Sequence, residues 1–181
     1  MLKRILNSIS VRIKNKINPK TELQILKERG LIYGKNFNLF NSQIDYGHCW
    51  LIEIGDDVTI TNSAILAHDA STKLHFGKSK IGKVKIGDRV FIGFNSVVLC
   101  NVTIGNDVIV AAGSIVTKSI PDNSIVAGNP ARVIGKTSEY MDKHRIFLKE
   151  KAVYDTYWPN KTQEQIDKIR EELDNDFGYD E

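Results

Sequence analysis

The side chain best suited to chemistry in this chain is His68, in the segment Ala67-His68-Asp69. Imidazole is the side chain whose unperturbed pKa lies nearest neutrality, so it can take a proton from a weakly acidic hydroxyl and hand it on. A positioned base of this kind is worth about 10²–10⁴-fold in rate. Asp69, next in the chain, is a candidate partner for the ring, although the same kind of slot holds Asp57 and Asp107 elsewhere, as turn chemistry. His75 follows shortly after, His48 precedes Cys49-Trp50, and His144 lies in the C-terminal part. Cys49 and Cys100 have neither metal-ligand nor redox spacing, and two cysteines make no disulfide framework. No covalent nucleophile stands out.

The elements that must hold His68 announce themselves by period. Aliphatic residues recur every six places at Ile54, Ile60 and Leu66, then at Ile86, Ile92, Val98, Ile104, Val110 and Val116. Small or β-branched residues follow four places after each, from Val58, Ala64 and Ala70 to Ser114 and Ile120. A period of six fits neither a helix at 3.6 nor a two-faced strand at 2. It predicts a hexapeptide β-helix, short strands wound round a triangular prism with the recurring aliphatics stacked inside. Asp56-Asp57, Asn62-Ser63, Asp88, Asn95, Asn101, Asn106-Asp107 and Ala112-Gly113 fall at the corners, where a tight or left-handed backbone is needed. His68 occupies one corner, and directly after it the beat stops. Leu66 and Ile86 are 20 residues apart, not a multiple of six, so residues 72–85 must leave the prism as an extruded loop. A histidine beside such a loop is where function is expected.

Composition bounds the rest. The 181 residues suit one principal domain with a substantial core, and the net charge of +3 is mild. Charge is unevenly spread: residues 1–30 hold eight Lys/Arg against two Glu, and residues 136–181 hold eight against twelve Asp/Glu. The basic head has a helical pattern at Leu2, Ile5, Leu6, Ile9 and Ile13. Peripheral membrane contact through residues 1–20 is one reading of it; packing on the prism or on a neighbouring subunit is preferred. Basic residues are not interleaved with stacking aromatics, which argues against nucleic acid. No run of eighteen apolar residues and no secretory signal is evident, so a cytoplasmic location is expected. Thr21-Glu22-Leu23-Gln24 and Thr162-Gln163-Glu164-Gln165 read as capping boxes opening helices. The organisation expected is an N-terminal helical segment over 1–30, the β-helix over 31–136 and a C-terminal helical extension over 137–181.

From about Tyr33 to Lys136 the chain resembles the hexapeptide-repeat acyltransferases, in their sugar O-acetyltransferase branch. Ile65-Leu66-Ala67-His68-Asp69, Ile86-Gly87-Asp88-Arg89-Val90-Phe91-Ile92-Gly93, the stretch from Ala112-Gly113-Ser114 to Ile120-Pro121, and the stretch from Ala127-Gly128-Asn129-Pro130 to Ile134 carry the resemblance. It implies a left-handed parallel β-helix, a homotrimer with sites between subunits, and acetyl transfer from acetyl-CoA to a hydroxyl of a sugar or polysaccharide precursor. His68 would be the general base in a ternary complex, with no metal required. The resemblance places the cofactor along Gly93, Ala111, Ala112, Thr117 and Lys118, with Arg132 and Lys136 at its phosphates. Asn41, Asp45, Trp50 and His75 become acceptor-side candidates, since sugars favour amide or carboxylate hydrogen bonds and aromatic faces. The chain departs from the family pattern at Phe91, Phe94 and Cys100-Asn101. Other readings are an amino-sugar amine as acceptor, a non-catalytic β-helix scaffold, and a β-helical metal-dependent hydro-lyase using His48, His68 and His75.

Overall fold

The computed structural model describes residues 20–181, so the basic amphipathic pattern at the N-terminus lies outside the described residues. The described chain divides into two units, with the break between Ile134 and Gly135. In the first, α1 (Glu22–Glu28) opens on the expected capping box: Thr21 Oγ1 accepts the Gln24 N–H, and the Gln24 side chain accepts the Thr21 N–H. Gly30, at φ 104°, turns the chain out of the helix.

The strands then visit three parallel sheets in rotation. The first coil is β1 (Ile32–Tyr33), β2 (Asn38–Phe40) and β3 (Gln43–Ile44); the second is β4 (Ile52–Ile54), β5 (Thr59–Thr61) and β6 (Ala64–Ile65). The extruded loop contributes β7 (His68–Asp69), α2 (Lys73–Phe76) and β8 (Lys80–Ile81), and β7 pairs with β8 antiparallel. The third coil is β9 (Val84–Ile86), β10 (Phe91–Ile92) and β11 (Val97–Val98), and the fourth β12 (Val102–Ile104), β13 (Ile109–Val110) and β14 (Ile115–Val116). β15 (Ile125–Ala127) and β16 (Arg132–Gly135) extend the second sheet. Each strand hydrogen-bonds in parallel to its counterpart one coil away, as in Ile54 against Ile86 and Ile92 against Val110. Ile54, Ile86 and Ile104 stack behind the first sheet, Ile60, Ile92, Val110 and Val126 behind the second, and Ile44, Ile65, Val98 and Val116 behind the third; all are buried.

That stack corrects one part of the hexad reading. Ile65, not Leu66, takes the core slot of its coil, paired with Val98, while Leu66 is only half-buried. Likewise Ser63 rather than Ala64 is buried, and Ala70 is exposed. The cause is a shorter corner. One residue, Thr61, separates Ile60 from the left-handed Asn62, where Gly93 and Phe94 separate Ile92 from the left-handed Asn95. The first coil is short in the same way, with Phe40 alone between Leu39 and Asn41. Phe94 is thus the residue by which the third coil is longer, and Ala112, before the left-handed Gly113, is its counterpart in the fourth.

Two side-chain ladders tie the coils together. Asp56 Oδ1 accepts the Lys35 N–H at 2.7 Å, Asp88 Oδ1 the Asp56 N–H at 2.8 Å, Asn106 Oδ1 the Asp88 N–H at 2.8 Å and Asp122 Oδ1 the Asn106 N–H at 2.7 Å. Ser42, Ser63, Ser96 and Ser114 form the second, each hydroxyl accepting an N–H from the following coil. The first ladder explains the repeated Gly-Asx pair. A Cβ at Gly87 would lie 2.5 Å from Asn106 Oδ1 and 2.8 Å from the Gly105 carbonyl, so only glycine lets the coils approach.

The second unit holds α3 (Thr137–Glu150), β17 (Val153–Tyr154), α4 (Gln163–Glu172) and β18 (Tyr179–Asp180), the strands paired in parallel. Thr162 and Gln165 form the expected capping box. His144 is structural there: its ring stacks 4.1 Å from Tyr140, and Nδ1 lies 2.7 Å from the Tyr179 hydroxyl.

Candidate active site

His68 is held from two directions. The returning loop strand pairs with it, His68 opposite Ile81, and the Gly82 N–H donates to Ala67 O at 3.0 Å. From the coil beneath, Asp45 follows Ile44 at the end of β3, and its N–H continues the third-sheet ladder to Ile65 O at 2.9 Å. This brings the Asp45 carboxylate under the His68 corner. Oδ2 makes a short hydrogen bond with His68 Nδ1 and accepts the Ala67 N–H at 3.1 Å; Oδ1 accepts the His48 N–H at 3.1 Å. The carboxylate is 2% exposed, the imidazole 37%, so the pair has a buried anchor and an accessible end. Burial pushes the Asp45 carboxyl up, but the hydrogen bond and charge of His68 and the two backbone N–H groups outweigh it and hold the group below its ordinary value.

The partner expected at Asp69 is therefore corrected. Asp69 Oδ1 accepts the Ser71 N–H at 2.9 Å and serves the loop's turn, while Asp45, expected on the acceptor side, touches the ring. The reason is topological: side chains stacked on neighbouring coils meet, whereas adjacent residues of an extended strand point to opposite faces.

His68 and Leu66 form a wall common to two clefts. One, of about 430 Å³, lies towards the first coil and is also bordered by Gln43, Tyr46 and Gly47. The other, of about 450 Å³, runs towards the later coils past Lys80, Leu99, Cys100 and Thr117. A half-exposed imidazole between two grooves can meet one molecule from each side. With Nδ1–H donated to the carboxylate, Nε2 carries the lone pair and is the basic nitrogen. His48, grouped with His68 in the sequence only by the metal-dependent hydro-lyase reading, stacks on His68 with ring centres 4.8 Å apart, and its Nδ1 lies 3.5 Å from Asp45 Oδ1.

Residues 83–118 match the family description of the bacterial transferase hexapeptide with six repeats. Over those residues the chain carries the hexapeptide repeat of that family. It is 36% identical over 119 residues to the galactoside O-acetyltransferase of Escherichia coli K12, covering 63% of this chain and 57% of that protein. It is 46% identical over 99 residues to protein CapG of Staphylococcus aureus, covering 52% of this chain and 58% of that protein. The chain thus spans little more than half the length of these curated relatives. Among solved structures, a maltose O-acetyltransferase from Clostridium difficile 630 superposes with a TM-score of 0.51 at 29% identity, over 71% of this chain and 84% of that one.

Of the other residues singled out for this hexapeptide-repeat chain, Thr117 lines the later cleft with His68, and exposed Lys118 follows it. A Cβ at Gly93 would lie 2.7 Å from Ala112 N, so that glycine serves coil packing; Ala111 O accepts the Ser96 and Ser114 hydroxyls. Ala112 is exposed at the corner before Gly113. Exposed Arg132 donates to Ala131 O, and Lys136 falls in the second unit, 3.7 Å from Glu139. Asn41 is a rung of a corner ladder, its Nδ2 donating to Asn62 Oδ1 at 2.8 Å, and it borders a separate groove with Gln43 and Asn95. Trp50 sits in the turn Cys49–Leu51, half-exposed, its ring 6.1 Å from that of His48. His75 rides on α2 and is not part of the group formed by Asp45, His48 and His68.

Proposed function

We propose that this chain is an acetyl-CoA-dependent O-acetyltransferase acting on a hydroxyl of a sugar or polysaccharide precursor. The observation that carries the reading is a solvent-reaching imidazole, anchored through Nδ1 on a buried carboxylate, in the wall between two clefts. The names of the galactoside and maltose O-acetyltransferases support a sugar acceptor.

In this reading the later cleft takes the thioester and the earlier one the acceptor. Asp45 fixes the ring and its tautomer. His68 Nε2 takes the hydroxyl proton as the oxygen bonds to the thioester carbon. The tetrahedral oxyanion, held by a backbone N–H, collapses with cleavage of the C–S bond, and the imidazolium returns its proton to the departing thiolate. Asp45 is a positioning residue, holding negative charge beside the imidazolium while it exists. Thr117 and Lys118 border the donor path, and Arg132 serves the donor's phosphates by charge-assisted contacts. Trp50 and His75 serve the acceptor side. The family's left-handed winding and homotrimer, with clefts completed by a neighbouring copy, belong to the same reading, as does a cytoplasmic site of action. None of the described helices is long and apolar enough to cross a membrane.

The test is a screen of free sugars, nucleotide sugars and lipid-linked oligosaccharides for release of CoA from acetyl-CoA, with wild type and His68→Ala side by side. Acceptor-dependent release that the variant lacks is expected. Wild-type protein that neither binds CoA nor releases it with any hydroxyl acceptor would overturn the reading.

A further inference from the structure

Asp45, His48 and His68 present one ligand atom each, all within 4.8 Å of one another. Their grouping exceeds what proton transfer requires. Asp45 and His68 already account for a base and its anchor, leaving His48 unexplained. Its Nδ1 is buried with no hydrogen-bond partner, 3.5 Å from Asp45 Oδ1. In the tautomer with its proton on Nε2, the lone pair of that nitrogen faces a carboxylate oxygen, and two acceptors so placed repel unless a proton or a cation separates them.

One edge of the group already suits a cation, while the Asp45–His68 edge, closed by a short hydrogen bond, has to open to admit one. Zinc bonds of about 2.0–2.1 Å to nitrogen and oxygen place tetrahedral ligands about 3.3–3.4 Å apart. The Asp45–His48 edge is already 3.5 Å. Two imidazoles and a carboxylate suit zinc and its neighbours rather than magnesium or calcium, which prefer all-oxygen cages. Asp45 and His48 come from one turn and His68 from the next coil, so the set is held by the same coil stacking that builds the prism. Three protein ligands leave a fourth position towards the cleft at Tyr46 and Gly47.

We infer that a zinc-type divalent cation binds Asp45, His48 and His68 and, by taking His68 away from its role as a base, inhibits the protein. The cation takes the place of the proton between His68 Nδ1 and Asp45 Oδ2; the ring then carries its proton on Nε2, which removes the lone pair the base needs, and a chelator restores it. Binding stands on the geometry alone, and only the inhibition rests on the proposed transferase reading.

The experiment titrates zinc chloride into chelator-treated full-length protein by calorimetry and follows the melting temperature in parallel. Wild type is expected to take up one zinc per chain and to melt higher with it, and not to respond to magnesium at the same concentration. His48→Gln should weaken zinc binding by at least about tenfold and abolish the rise in melting temperature; His75→Gln, outside the group, should leave both intact. Micromolar zinc should inhibit acetyl transfer by wild type and not by His48→Gln. Absence of stoichiometric uptake, or equal affinity in wild type and His48→Gln, would overturn the site. Should His48→Gln fail to fold, His48→Asn, measured the same way, decides between the same results. Zinc bound with turnover unchanged would leave the site standing and remove the inhibition.

Discussion

Two corners of the prism use the same side-chain type in opposite directions. At the Gly-Asx corners, Asp56, Asp88, Asn106 and Asp122 each reach back to accept an N–H of the previous coil, so the ladder runs unbroken from coil to coil. At the His68 corner, Asp45 reaches forward, accepts the Ala67 N–H of the next coil and keeps an oxygen for an imidazole. The regular corner has its polar capacity engaged in holding coils together. The other leaves a titratable ring exposed, beside a loop that departs from the prism. Stacking therefore supplies rigidity in one place and, in the other, an anchored ring that the proposed reading uses as a base.

The comparison breaks most sharply at the ring itself. His68→Ala should cut acetyl transfer by at least about a hundredfold while CoA binding and the melting temperature stay close to wild type, read by steady-state kinetics and calorimetry. Next is a closed corner: Gly87→Ala places a Cβ 2.5 Å from Asn106 Oδ1 and 2.8 Å from backbone. It should destabilise by about 1–3 kcal/mol in denaturant unfolding, with turnover per folded molecule retained.

Acid separates the corners too. Asp45, with its pKa held down in the folded state, contributes stability that is present above the ordinary carboxylate range and is lost as pH falls through its lowered value. Asp45→Asn should flatten the loss of stability below about pH 4, followed by unfolding at stepped pH. The smallest effect belongs to the outer face of the first sheet, where Lys85 and Glu53 lie 3.5 Å apart and largely exposed. Glu53→Gln should change stability by no more than about 0.5 kcal/mol.

The prism was legible because its core repeats at a period no other element uses, and the left-handed corners at Asp57, Asn62, Asn95, Asn101 and Asp107 bear the turn reading out. The extruded loop was legible as a break in that period, but its bounds of 72–85 are corrected: its hairpin already begins at His68–Asp69, and Val84 and Lys85 belong to a strand of the prism. The register around Ile65 was not: Ile65-Leu66 offers two aliphatics for one slot, and only pairing with Val98 selects the first. Asp45 was legible as a polar residue near an edge but not as the anchor of His68. The 23-residue step from one to the other spans a short corner and an irregular turn, so no multiple of six points from one to the other. His48 was weighed with His68 and His75 as a metal ligand, but its contact with His68 is not legible from spacing for the same reason, since the rings meet through coil stacking.

Asp45 acting through His68 is best tested by a double-mutant cycle on acetyl transfer. Asp45→Asn alone should slow turnover by at least about tenfold; added to His68→Ala, it should slow it no further, because the ring it positions is gone. Losses that multiply in the double variant would show the carboxylate and the imidazole working independently, and would contradict the account.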